Sequence, residues 1–185
     1  MKSKEDILLE IKKFSNEFYN KQDFAHNIIH GERVVKNAKK IMQIEGGDSF
    51  IIEAGAWLHQ FHNDLDEIKV FIFSLDIDEN DKNLLYEIAR IRPEYINENS
   101  PIEVKIVYDA DSIELLSCYG TIREILCNIK ARDKSWEETI NDTVNVQKRF
   151  FDKLMTDTAK EMIKEDIEII NKFFELYYKE LNEEN

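Results

Sequence analysis

The chain has 185 residues, 43% of them apolar and 34% charged, with only 5 glycines and 2 prolines, a balance that disfavours an all-β sandwich and general disorder. Its 25 basic and 38 acidic side chains leave a formal net charge of -13, which argues against nucleic-acid binding through clustered Lys and Arg. A chain of this length buries roughly two thirds of its unfolded surface, so its core requires no disulfide or structural metal.

No apolar run approaches the roughly 18 residues that span a bilayer, and Met1-Lys2-Ser3-Lys4-Glu5-Asp6 leads into an amphipathic segment. A cytoplasmic protein with no membrane partner is expected. Cys118 and Cys127 have neither CxxC nor Cys-His spacing and read as reduced, buried thiols.

Apolar residues at helical spacing (Ile7, Leu8, Ile11, Phe14, Phe18) predict a first helix over about residues 4 to 20. Asp23 is placed to cap a second, which runs to Glu45 and stops at Gly46-Gly47. Asp48 caps a third, Ser49 to Phe61, the most apolar segment and therefore the expected centre of the fold. Shorter helices follow near 65 to 75 and 78 to 91, before Arg92-Pro93 breaks the pattern. Ser100-Pro101 reads as an N-cap with Pro at the first helical position of a helix through Ile113, and Gly120 divides it from the next. Two long helices, about 134 to 154 and 157 to 182, with a break at Met155-Thr156-Asp157, complete a single all-α domain over 1-185: a core at about 20-132 and the C-terminal helices at about 134-182.

All four histidines lie between residues 26 and 62, on two helices expected to be neighbours. His26 and His30 are four apart and His59 and His62 three apart, so each pair shares a helix face and could reach one metal. His59 ends the most apolar helix, where an imidazole without a partner is costly. Asp109-Ala110-Asp111 places two carboxylates in an apolar stretch, where an uncompensated charge costs several kcal/mol. A cation near both would remove both penalties; alternatively Arg33 or Arg123 pairs with the carboxylates.

The run His30-x-x-Arg33-Val34 with Asn37-Ala38, then Ala54-x-Ala56-Trp57-Leu58-His59, then Val107-Tyr108-Asp109-Ala110-Asp111, resembles the HD-domain superfamily of metal-dependent phosphohydrolases. The likeness is nearest to its small stand-alone members and extends over about residues 20 to 180. It implies an all-α HD-domain-like helical bundle. It also implies a divalent metal (Mn, Mg, Zn, Ni, Co or Fe are not distinguished) at His30, His59 and Asp109, and hydrolysis of a nucleotide or other small phosphate ester. His59, Gln60 and Asp109 then stand at the catalytic positions.

Gln60 departs from the family pattern, which has Asp there. Two histidines, one aspartate and an amide oxygen supply one negative charge instead of two, so metal affinity should fall. The lost carboxylate also removes help in orienting the attacking water. His62, at about 60° from His59 around a helix, is the candidate replacement ligand beside Gln60 itself, whereas Asp64, at about 140°, needs a turn to reach the site.

For substrate contacts, Arg33 suits bidentate phosphate binding unless it is pinned to Asp111 or Glu53, and His26 stands one turn before His30. Lys36, Lys39 and Lys40 read as a solvated face. Two functional readings stand side by side: a metal-dependent phosphohydrolase with a small phosphorylated substrate, or a degenerate HD domain kept as a ligand-binding or protein-interaction module. Two histidines and a carboxylate also match the ligand set of non-haem iron oxygenases, which the helical frame does not favour.

Overall fold

The computed structural model describes residues 2–63 and 65–183, without the side chains of residues 62, 63 and 183. Among the described residues there is no strand, and no helix is long and apolar enough to cross a membrane. In chain order the helices are α1 (Lys4–Tyr19), α2 (Ile28–Glu45), α3 (Ser49–Leu58), α4 (Leu65–Ser74), α5 (Glu79–Ala89), α6 (Ile102–Leu116), α7 (Cys118–Lys130), α8 (Trp136–Phe151) and α9 (Asp157–Glu183). A 3₁₀ segment, His59–Asn63, follows α3.

The expected α3 is central: Phe50, Ile51, Ile52, Ala54, Ala56 and Leu58 are all buried, and the helix packs against α1, α2, α5 and α6. Asp48 starts it by accepting the Phe50 and Ile51 amides at 2.8 and 3.2 Å, as its sequence position implies. At the far end the Tyr19 hydroxyl donates to the Trp57 carbonyl at 3.2 Å and satisfies one of the helix's unpaired C-terminal oxygens. Tyr19 also explains Gly31. A Cβ there would lie 2.8 Å from the Tyr19 ring, so only glycine lets α1 and α2 approach beside His30.

Several boundaries depart from expectation. Asp23 does not cap α2; it accepts the Ala25 and His26 amides at 2.8 and 3.0 Å and closes a separate turn. Asn27 caps α2 through the Ile29 amide, so His26 precedes the helix that carries His30. Pro101, not Ser100, occupies the N-cap of α6. The break before α7 falls at Ser117, whose hydroxyl accepts the Gly120 amide at 3.0 Å; Gly120 sits inside the first turn, where a Cβ would collide with the Glu114 and Leu115 carbonyls.

The α2–α3–α6 core is covered on one side by α8 and α9, which contact α6 and α7, and Ile140, Ile170 and Phe174 form a second, smaller buried cluster. The connection Asp152–Thr156 thereby passes next to the middle of α6. That passage decides the role of one predicted ligand.

Candidate metal centre

His30 sits in the first turn of α2 and His59 at the C-cap of α3; both are buried, at 3% and 5% exposure. The α3 terminus carries partial negative charge, which favours a cation beside His59. The two Nε2 atoms are 3.1 Å apart, and Asp111 Oδ1 lies 3.4 Å from that of His30 and 3.7 Å from that of His59. The Gln60 side-chain amide lies 2.7 and 3.0 Å from the same two nitrogens. Ligands about 2.0–2.1 Å from one cation at octahedral or tetrahedral angles stand about 2.9–3.4 Å apart, close to the spacing of the His30, His59 and Asp111 atoms, whereas Gln60 presents its NH₂ nitrogen, which cannot ligate.

Each imidazole is oriented from behind. His59 Nδ1 donates to the Ala56 carbonyl at 2.7 Å, and His30 Nδ1 faces Glu114 Oε2 at 3.2 Å. Both contacts place the proton on Nδ1 and turn the Nε2 lone pair toward the cluster, the tautomer that metal binding needs. Glu114, fully buried, also accepts Arg33 Nε at 3.0 Å and pairs closely with Arg123. Burial by itself would raise the Glu114 carboxyl, but His30 and Arg123 hold it below the usual range. Burial likewise opposes ionisation of Asp111, and His30 and His59 outweigh it, keeping Asp111 a carboxylate. For His30, burial pulls the pKa down while Asp111 and Glu114 together raise it, the signature of a pocket that attracts positive charge.

The carboxylate at the cluster is Asp111, which corrects the expectation of Asp109. Successive helical residues turn by about 100°, so these two side chains leave α6 in nearly opposite directions. Asp109, with no exposure, accepts the Met155 amide at 2.9 Å, and the Thr156 amide and hydroxyl at 2.7 and 2.6 Å. Thr156 in turn accepts the Ala159 amide at 3.2 Å at the start of α9. Asp109 is therefore an anchor for the last helix, with both oxygens engaged.

Arg33 is pinned, with Glu114 as its partner in place of the expected Asp111 or Glu53, and its guanidinium lies 4.2 Å from the Tyr119 ring centre. Glu53 instead pairs with Lys39 at 2.7 Å. His26 Nδ1 donates to Asp23 Oδ1, 2.9 Å away, and the ring lines the cavity beside the cluster. The side chain of His62, and Asp64 as a whole, lie outside the described residues. Asp23, His26 and Cys127 form a second convergent trio, but Asp23 Oδ1 already serves the turn, and burial raises the Cys127 thiol and keeps it protonated.

Two cavities meet at Asp111 and Phe150. One is mainly apolar, with Ile91, Pro93, Val107 and Tyr108 beside His59. The other holds His26, Arg123, Arg132, Arg149 and Glu124 beside His30 and Gln60; Arg123 is paired with Glu114 and Arg132 with Glu124. Sequence reasoning missed Glu114, Arg132 and Arg149, and named Arg123 only as a partner for Asp109 or Asp111. The signal for Glu114 was its place one turn after Asp111 on the same face of an apolar helix.

Comparison with solved structures places this architecture. The Lin1889 protein of Listeria innocua is 25% identical, with 98% of each chain covered and a TM-score of 0.78. An HD-superfamily hydrolase from Bacillus thuringiensis is 24% identical, covering 97% of this chain and 99% of that one, at 0.75. Bacillus subtilis YpgQ in complex with ADP is 20% identical, with 96% of each chain covered and a TM-score of 0.78. No family model matches the sequence, and no curated relative does. The fold is HD-domain-like.

Proposed function

We propose that the chain is a divalent-metal-dependent phosphohydrolase acting on a nucleotide or other small phosphate ester. The observation that carries the reading is the convergence of His30 Nε2, His59 Nε2 and Asp111 Oδ1, with both imidazoles held in the ligating tautomer from behind. A divalent ion held there supplies Lewis-acid polarisation of a phosphoryl oxygen and a more acidic water.

The protein's own residues do the rest. Asp111 contributes the negative charge, Glu114 fixes His30, and Arg149 on the wall of the second cavity offers a cation to a phosphate group. Ile91, Val107 and Tyr108 offer the opposite wall to an apolar or aromatic moiety. The ADP held by the similarly folded YpgQ supports the nucleotide class for this arrangement.

A second reading, a binding module without turnover, is favoured by Gln60, which brings an amide where a carboxylate would orient water. Calorimetric titration of chelator-stripped protein with Mn²⁺, Zn²⁺ and Ni²⁺, beside His59→Ala and Asp111→Ala, separates the possibilities. One-site binding abolished by both substitutions, with phosphate or pyrophosphate release from a nucleotide panel, supports the hydrolase. Metal and ADP binding without turnover supports the module. Absence of metal binding overturns the metal-dependent reading.

A further inference from the structure

The imidazoles of His30 and His59 each present a lone pair to the same point, because their Nδ1 protons are committed to Glu114 and to the Ala56 carbonyl. Asp111 Oδ1 adds a third acceptor within 3.4 and 3.7 Å. Of these three converging acceptors the two imidazole nitrogens are buried, a place where a lone pair is unfavourable unless a donor or a cation lies beside it. The group lying against them is the Gln60 amide, 2.7 Å from His30 Nε2 and 3.0 Å from His59 Nε2. Only the NH₂ end of a glutamine can donate, and it carries two hydrogens, one for each ring. An aspartate at this position would add a fourth acceptor in place of the donor.

We propose that Gln60 is a built-in stand-in for the cation: in the metal-free chain its NH₂ donates to both imidazoles, and a divalent ion enters only as that amide withdraws or turns its oxygen inward. This rests on the reading of the cluster as a metal site. Two consequences follow from the exchange. The metal-free protein keeps a satisfied core, and the ion is bound reversibly, so occupancy of the centre tracks the free metal concentration instead of being permanent.

The test compares chelator-stripped wild type with Gln60→Glu and Gln60→Asp, titrating Mn²⁺ by calorimetry and recording metal-free melting. Both carboxylate variants are expected to melt several degrees lower without metal and to bind Mn²⁺ at least about tenfold more tightly. In ¹⁵N NMR of metal-free wild type at pH 8, both rings should carry the proton on Nδ1, and the side-chain NH₂ signals lost in Gln60→Glu should move when Mg²⁺ or Zn²⁺ is added. The ring measurement needs no variant to fold.

A proton on Nε2 of either ring at that pH overturns the stand-in. So do variants that bind Mn²⁺ no more tightly than wild type while their metal-free melting is unchanged; the metal site itself then stands. Failure of wild type and both variants to bind any of the ions overturns the metal reading and the inference with it.

Discussion

Asp109 and Asp111 leave the same helix two residues apart and serve its opposite faces. The first holds the amides of Met155 and Thr156 at 2.9 and 2.7 Å, and the second faces His30 Nε2 at 3.4 Å. Their substitutions should separate cleanly. Asp111→Asn is expected to abolish or greatly weaken Mn²⁺ binding while changing stability by less than about 1 kcal/mol. Asp109→Asn places an amide donor against donors and is expected to cost about 1–3 kcal/mol, with the metal site otherwise intact. Calorimetry and urea denaturation of the two variants check both halves; loss of metal binding only in Asp109→Asn would reverse the assignment.

Glu114 joins stability to the site. It is the shared partner of His30, Arg33 and Arg123 and has no exposure. Glu114→Gln leaves Arg123 without its counter-charge and should destabilise the chain by about 3–5 kcal/mol. It also frees the His30 ring, so Zn²⁺ affinity should fall about 10–100-fold. Arg123→Met beside it tests the partition: it should lose stability and retain most of the metal affinity.

The cap of α3 sets an acid limit. Burial tends to raise the Asp48 carboxyl, and the Ile51 and Phe50 amides with Lys4 outweigh it, so its pKa lies below the usual value. A native pKa below the unfolded one means that the stabilisation is present above about pH 4 and is lost as pH falls through the native value. Asp48→Ala should cost about 1 kcal/mol at pH 7, and Asp48→Asn, which keeps the acceptor, much less. Urea denaturation between pH 7 and pH 2 should show a shallower acid slope in the Asn variant than in wild type.

Arg149 is exposed at the mouth of the basic cavity that reaches His30 and Gln60. Arg149→Ala should weaken ADP binding about tenfold, the effect of removing one charge-assisted contact to phosphate, and leave melting unchanged. The loss should shrink as salt is raised. Equal ADP affinity in variant and wild type would remove Arg149 from the substrate site.

Local chemistry made much of this architecture legible in the sequence. The apolar spacing of Ile7, Ile11 and Phe18, the Asp48 cap, and the run Phe50–Leu58, apolar but for Glu53, each depend on neighbours within a turn or two, and the structure repeats them. The clustering of histidines likewise pointed to His30 and His59, because two adjacent helices with inward-facing imidazoles have one place to meet. The end of α3 was less legible. His59 lies where the α-helix tightens into the 3₁₀ segment, next to the Trp57 carbonyl that Tyr19 of α1 caps from a distance in the chain.

The sequence by itself determined that this is an all-helical protein with a histidine-centred site and an amide at a position where its family likeness calls for a carboxylate. Those properties are set by composition, period and residue identity. Only the tertiary structure decided which aspartate faces the histidines, that Glu114 stands behind His30, and that Arg33 is held by Glu114. Each of these depends on which distant backbone passes a given face of α6: the Met155–Thr156 turn claims Asp109, 46 and 47 residues away in the chain, and leaves the opposite face to Asp111. No pattern within one helix records that passage, because both faces of a buried helix look equally apolar in sequence.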